Sequence, residues 1–127
     1  MPASSESLEM YLEDIYVLSL KLDVVRPVDL AKKMGFSKPT ISEWMGKLRD
    51  QGYVEPDNGT GLHLTAKGET VAKSVYERHV VLCHLFELIG VTPETAEEDA
   101  CRVEHYISDE TFDAMKRHLK KRQKDSD

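Results

Sequence analysis

The sequence predicts a mainly α-helical fold in which three helices and a two-stranded hairpin precede a second set of helices. Three observations carry that reading. Apolar residues recur at helical spacing near the start, in "ESLEMYLEDIYVLSL" (6–20). Two short helix-forming stretches follow, separated by about four residues and the second properly capped, which is a helix-turn-helix pattern. Then "YVEPDNGTGLHLT" (53–65) alternates apolar and polar residues around the turn signal "PDNGTG". Helix, helix, helix, hairpin is the order of a winged helix-turn-helix, the hairpin being its wing.

Each element has its own local reason. The first helix is expected over 6–20 with Ser5 as N-cap. Leu8, Tyr11, Leu12, Ile15 and Leu18 form its apolar stripe, and at about 100° per residue Met10, Glu13 and Val17 fall on a different flank. In "RPVDLAKKMG" (26–35), Pro27 marks a helix start and Gly35 its end. In "FSKPTISEWMGKLRDQG" (36–52), Ser37 is the N-cap, Pro39 lies in the first turn and Gly52 closes the helix. Ile41, Met45 (or Trp44) and Leu48 supply its buried side. A long helix is expected over 66–89. Thr92 and Pro93 open another that ends near Ile107, and Ser108 caps a last one with Phe112, Met115 and Leu119 on one side. The tail "KKRQKDSD" is expected to fray, and no internal repeat is visible.

A chain of 127 residues makes one domain, or two small ones sharing a core. Nothing in it is long or apolar enough to span a membrane, and no signal peptide is visible, so a cytoplasmic location is expected. Thiols stay reduced there, which favours reading Cys83 and Cys101 as free thiols or ligands rather than a disulfide. Net charge is −6. That balance argues against a generic nucleic-acid coat, but not against a specific DNA reader with a local basic strip. No catalytic motif appears, so an enzyme is not expected.

Within the helix expected over 93–107 lies Cys101-x-x-Glu104-His105. Residues three and four apart share a helix face, with Cβ atoms about 5–6 Å apart. Ala96, Ala100, Val103 and Ile107 make the core stripe, leaving Cys101, Glu104 and His105 together beside it. Thiol, carboxylate and imidazole converging on one point look like a metal site; a packed thiol, a solvated carboxylate and a capped imidazole are the plain alternative. Three ligands from one helix rarely complete a shell. Met10 and Glu13 share a face of the first helix and offer a thioether and a carboxylate. His79, in "YERHVVL", stands between Val75 and Leu82 where an apolar residue is expected, either filling a core gap or adding a donor. Such a mixture suits Fe²⁺, Co²⁺, Ni²⁺ or Zn²⁺ better than Mg²⁺ or Ca²⁺. The C-x₂-C pairs of a structural zinc site are absent.

With these motifs in place, the sequence resembles the diphtheria-toxin-repressor family, the iron-dependent repressors and manganese transport regulators, over nearly its whole length. The likeness rests on "EMYLEDIY" (9–16), "SKPTISEWMGKLRDQGYV" (37–54), "LTAKG" (64–68), "RH" (78–79) and "ACRVEHYISDE" (100–110). It implies a winged helix-turn-helix DNA-binding domain over 1–65 and a helical dimerisation and metal-binding domain over 66–127. It also implies a short form without the SH3-like third domain, and a homodimer that represses metal-uptake or homeostasis genes when metal binds. Met10, Cys101, Glu104 and His105 match the activating site of the iron branch, and His79 matches a ligand of a second site. Cys83 and Glu97 replace that branch's usual residues at other positions of the second site, and Glu13 looks like the manganese branch. Fe(II) is therefore the expected cofactor, with Mn(II) or a metal-independent winged-helix regulator as alternatives.

The helix over 38–51 is expected in the major groove of double-stranded DNA, N-terminal residues nearest the bases, with a near-palindromic operator matching the dimer. Ser37, Thr40 and Ser42 offer hydroxyls to phosphates, and Pro39 can touch a thymine methyl. Glu43 is read either as an acceptor for a cytosine amino group or as a solvated carboxylate. Lys38, Lys47, Arg49 and Arg26 supply local positive charge.

Overall fold

The computed structural model describes residues 3–57 and 59–126. The elements are α1 (Ala3–Ser19), α2 (Pro27–Met34), α3 (Lys38–Asp50), β1 (Val54–Pro56), β2 (Leu62–Leu64), α4 (Ala66–Leu88), α5 (Pro93–Val103) and α6 (Asp109–Ser126). They divide into two compact units, Met1–Ser74 and Val75–Asp127, with the boundary inside α4. None of the described helices is long and apolar enough to cross a membrane.

In the first unit, α1 delivers Tyr11, Leu12 and Ile15 into a core shared with Leu30 of α2, Ile41 and Leu48 of α3, and Val54 and Leu62 of the hairpin. Leu12, Leu30, Ile41 and Leu48 are wholly buried, each worth about 1.5–3 kcal/mol against exposure. α2 stops at Gly35, whose φ of 71° is a left-handed conformation that glycine adopts without cost. α3 starts where the Ser37 hydroxyl accepts the Thr40 N–H at 3.3 Å. The wing is antiparallel, pairing Val54 with Leu64 and Pro56 with Leu62, and an isolated bridge from Val25 to Leu62 ties it to the segment before α2. Gly68 lets the first turn of α4 approach the hairpin: a Cβ there would stand 2.1 Å from the Tyr53 carbonyl oxygen.

In the second unit, Thr92 caps α5 through the Thr95 N–H and Ser108 caps α6 through the Thr111 N–H. Leu82 of α4, Ala96 and Ala100 of α5, and Phe112 and Leu119 of α6 are buried.

Three boundaries differ from expectation. α1 starts at Ala3, since no breaker separates Ala3 from the apolar stripe; Ser5 therefore lies inside the helix and is not its cap. α6 runs to Ser126 where fraying was expected. Lys120, Lys121 and Arg122 suit the negative end of a helix dipole, which favours that extension. α5 ends at Val103 rather than Ile107. The chain turns there because α6 begins only six residues on, and Arg78 of α4 collects the freed carbonyls: its guanidinium donates to Glu104 O and Ile107 O, both at 3.3 Å.

Candidate metal centre and nucleic-acid face

The face expected to read DNA is exposed. Ser37, Lys38, Pro39, Thr40, Ser42, Glu43, Lys47 and Arg49 all carry exposed side chains on α3 or at its start, and Arg26 is exposed before α2. Their partners refine their roles. The Ser37 hydroxyl is engaged as a cap and lies 2.9 Å from the Thr40 hydroxyl. Lys47 pairs with Glu43 at 3.4 Å and sits 4.7 Å above the Trp44 ring, which stacks on Tyr11 of α1 at 4.8 Å. Arg26 Nε donates to Thr60 of the wing at 3.2 Å. On the wing, His63 is held by Asp57 at Nδ1 and by Glu55 at Nε2, 3.2 Å away. The Asp57 hydrogen bond, above all, raises its pKa against the opposing effect of burial.

Met10 and Glu13 belong to this first unit. Glu13 is buried and Met10 half-buried on α1.

In the second unit His79 of α4 is the hub. Its Nδ1 lies 2.8 Å from Glu104 Oε2, and its Nε2 lies 2.9 Å from Glu97 Oε2. Cys83, one turn on, brings Sγ within 3.6 Å of His79 Nε2 and 3.6 Å of Glu97 Oε2. Cys101 Sγ stands 3.9 Å from His79 Nδ1 and 4.0 Å from Glu97 Oε1. Glu104 is wholly buried, not beside the core as expected: its backbone is still helical, and its carboxylate is taken up by His79 of α4. His105 Nε2 stands 3.4 Å from Glu104 Oε1.

The charges fit this packing. The Cys101 sulfur first, then Glu104, hold the His79 imidazole protonated, its pKa raised from 6.5 to about 12 despite burial. Burial pushes the Cys83 thiol up to about 11. Below the centre, Arg78 pairs with Asp109 and faces the Phe112 ring at 5.7 Å, so the Glu104 turn is pinned from α4. The structure thus groups His79, Cys101, Glu104 and His105 and brings to them Cys83 and Glu97, the two residues that the resemblance set at second-site positions in place of the usual ones. Helical spacing held the signal: Cys83 lies four residues after His79, and Glu97 four before Cys101.

Two family models match these two parts of the chain: "Iron dependent repressor, N-terminal DNA binding domain" over residues 4–62, and "Iron dependent repressor, metal binding and dimerisation domain" over 65–127. The transcriptional regulator MntR of Escherichia coli is 36% identical over 111 residues, 87% of this chain and 72% of that one. This chain belongs to the iron-dependent repressor family. An HTH-type transcriptional regulator of Methanocaldococcus jannaschii is 33% identical over 119 residues, 92% of this chain and 95% of that one. The solved structure of the manganese regulator SloR matches with a TM-score of 0.76 and 32% identity, over 89% of this chain and 53% of that one. This chain therefore spans about half the length of that protein. The motifs read from the sequence pointed to this family, and the mainly α fold with a two-stranded wing is the one expected of it. These relatives are regulators, not enzymes.

For an iron-dependent repressor, the donors in the second unit should suit a divalent cation, and they do. Glu104 Oε1 is buried without a hydrogen-bond partner, a state that costs about 1–3 kcal/mol or more for a charged group. A cation would satisfy it, and imidazole, thiol and carboxylate together match a transition metal.

Proposed function

We propose that this chain is a metal-activated, DNA-binding repressor that acts as a cytoplasmic homodimer on a near-palindromic operator of metal-uptake or homeostasis genes. Residues 1–65 read the DNA, and 66–127 bind metal and dimerise. The buried Glu104 Oε1, which has no hydrogen bond and stands 3.4 Å from His105 Nε2, is the observation that carries the metal half. Glu104, His105 and Cys101 are the proposed activating ligands, and donor chemistry adds Met10 and Glu13 of α1. A bound divalent cation supplies the positive charge that lets these acidic groups share one site. The chain's own part is to hold them: Arg78 fixes the Glu104 carbonyl, and His79 orients the Glu104 carboxylate.

Fe²⁺ is the ion this reading favours, because sulfur donors at Met10 and Cys101 bind it better than Mn²⁺. A Mn²⁺-responsive regulator is the second reading, supported by relatives named for manganese. Anaerobic titration of operator binding against free Fe²⁺ and free Mn²⁺ tests the choice. Response to Fe²⁺ at the lower concentration supports iron, and response to Mn²⁺ at the lower concentration replaces it with manganese. Operator binding that ignores both ions would overturn the metal-activated reading.

A further inference from the structure

Tyr11 of α1 is buried, and its ring packs against the reading helix at two points. It stacks on Trp44 of α3 with centroids 4.8 Å apart and planes 24° from parallel. It also meets Phe36, just before the α3 cap, at 6.1 Å. Trp44 in turn carries the Lys47 ammonium 4.7 Å above its own ring. One ring on α1 thus touches α3 at its start and at its middle, and the second contact leads to a cation on the exposed face. The Tyr11 hydroxyl is buried with no hydrogen-bond partner among the described residues, so ring packing alone holds the contact. Nothing directional locks the stack, and it can slide as α1 moves.

α1 is a single helix of 17 residues, so a displacement at one residue is shared by its neighbours. At about 100° per residue, Met10 lies about 100° round that helix from Tyr11, and Glu13 about 200°. The two residues read as donors therefore occupy other flanks of α1 than the ring that meets α3. An ion shifts a protein only by binding one arrangement better than another. Here the arrangement it selects is the setting of α1 that presents Met10 and Glu13. We propose that Tyr11 is a positioning residue for DNA reading: its ring passes the metal-held setting of α1 to Trp44, and so places Lys47 and the exposed face of α3. This deepens the reading of Met10 and Glu13 as metal donors and rests on it. The coupling is reciprocal: metal tightens DNA binding and DNA tightens metal binding by the same factor, and removing the ring lowers both.

The test uses the full, reduced chain without oxygen and a duplex selected from random-sequence DNA by the Fe²⁺-loaded wild type. Trp44 is the only tryptophan of the chain, so its emission, excited where tyrosine does not absorb, reports the stack directly. Zn²⁺, with its filled d shell, serves for this arm. Wild type should change its Trp44 emission as Zn²⁺ saturates. Tyr11→Leu should keep its circular dichroism and its metal affinity, measured by competition with a chromophoric chelator, yet lose that change. In the same variant the factor by which Fe²⁺ tightens DNA binding should fall roughly 3- to 10-fold, as expected for the loss of one aromatic pair. Tyr11→Phe keeps the ring and should restore both readouts. Should Tyr11→Leu unfold, Trp44→Leu, at a half-buried position, removes the stack from the α3 side and should lower the Fe²⁺ factor equally. A merely structural role would weaken DNA binding alike with and without Fe²⁺; an unchanged Fe²⁺ factor in either folded Leu variant would therefore overturn the proposal. So would Trp44 emission that ignores Zn²⁺ in the wild type. No gain in DNA affinity with Fe²⁺ or Mn²⁺ in the wild type would instead overturn the metal-activated reading, and this proposal with it.

Discussion

Glu104→Gln separates what the buried carboxylate does for the fold from what it does for metal. In the metal-free chain the Gln oxygen can still accept the N–H of the His79 imidazolium, but an ion pair becomes a hydrogen bond to a neutral acceptor, a loss of about 1–1.5 kcal/mol. Against that, the substitution removes an anionic oxygen that is buried without a hydrogen-bond donor, a relief of about 1–3 kcal/mol. The two nearly cancel, so the metal-free Tm should move by no more than about 5 °C. With metal the result differs. A ligand at 100 times its Kd stabilises the folded chain by about 2.7 kcal/mol, which for a protein of this size raises Tm by roughly 10 °C. Glu104→Gln should abolish nearly all of that rise. Differential scanning fluorimetry with and without Fe²⁺, paired with operator binding by fluorescence anisotropy, makes the measurement. A full metal-dependent rise in the variant would refute Glu104 as a ligand. A collapse of the metal-free Tm would refute the cancellation argued above.

Other substitutions probe the remaining parts. Met10→Asp exchanges a soft donor for a hard one and should shift the Fe²⁺-to-Mn²⁺ ratio of half-activating concentrations toward Mn²⁺, measured by operator binding under each ion. Thr40→Ala and Lys47→Ala should weaken operator binding and leave metal affinity alone; Lys47→Ala should also make the salt slope shallower by roughly one unit. The His63 pKa is raised in the fold by Asp57 and Glu55, so its contribution to wing stability is complete below the ordinary value of 6.5 and is lost as pH rises through the raised value. Titration of the His63 ring protons by NMR should show that upward shift, and Asp57→Asn should return it toward 6.5.

The helices that were legible in the sequence are those specified by neighbours along the chain. Ser37, Thr92 and Ser108 each cap a helix through an N–H three residues away, and Tyr11, Leu12 and Ile15 announce a buried face by spacing alone. What was not legible depends on partners distant in sequence. Arg78 meets the Glu104 carbonyl across 26 residues, and that meeting goes with the early end of α5 and the burial of Glu104. His79 touches Glu97 and Glu104 at separations of 18 and 25 residues. From sequence, it was as easily a histidine filling a core gap. Cys83 and Glu97 were placed at second-site positions by the resemblance alone, because each looks ordinary in its own helix, and only the fold turns both toward one imidazole nitrogen.

The charge distribution bears on how a chain of net charge −6 reaches an anionic polymer. Its attraction must be local, and on the proposed reading α3 supplies it. Glu43 holds Lys47 at 3.4 Å on an exposed surface, an i,i+4 pair worth only about 0.3–0.5 kcal/mol. The Lys47 ammonium also lies over Trp44, whose ring is stacked on Tyr11, so the lysine is kept near the reading face by a contact that does not consume its charge. Exchanging the Glu43 carboxylate for a phosphate therefore costs little, and counterions released from the DNA drive the exchange at low salt. Glu43, left beside the backbone, then opposes nonspecific binding to any phosphate run. On the proposed reading, a pair this weak lets Lys47 move to a phosphate at little cost, while the carboxylate left behind lowers affinity for any phosphate run, so sequence discrimination must come from base contacts rather than from charge.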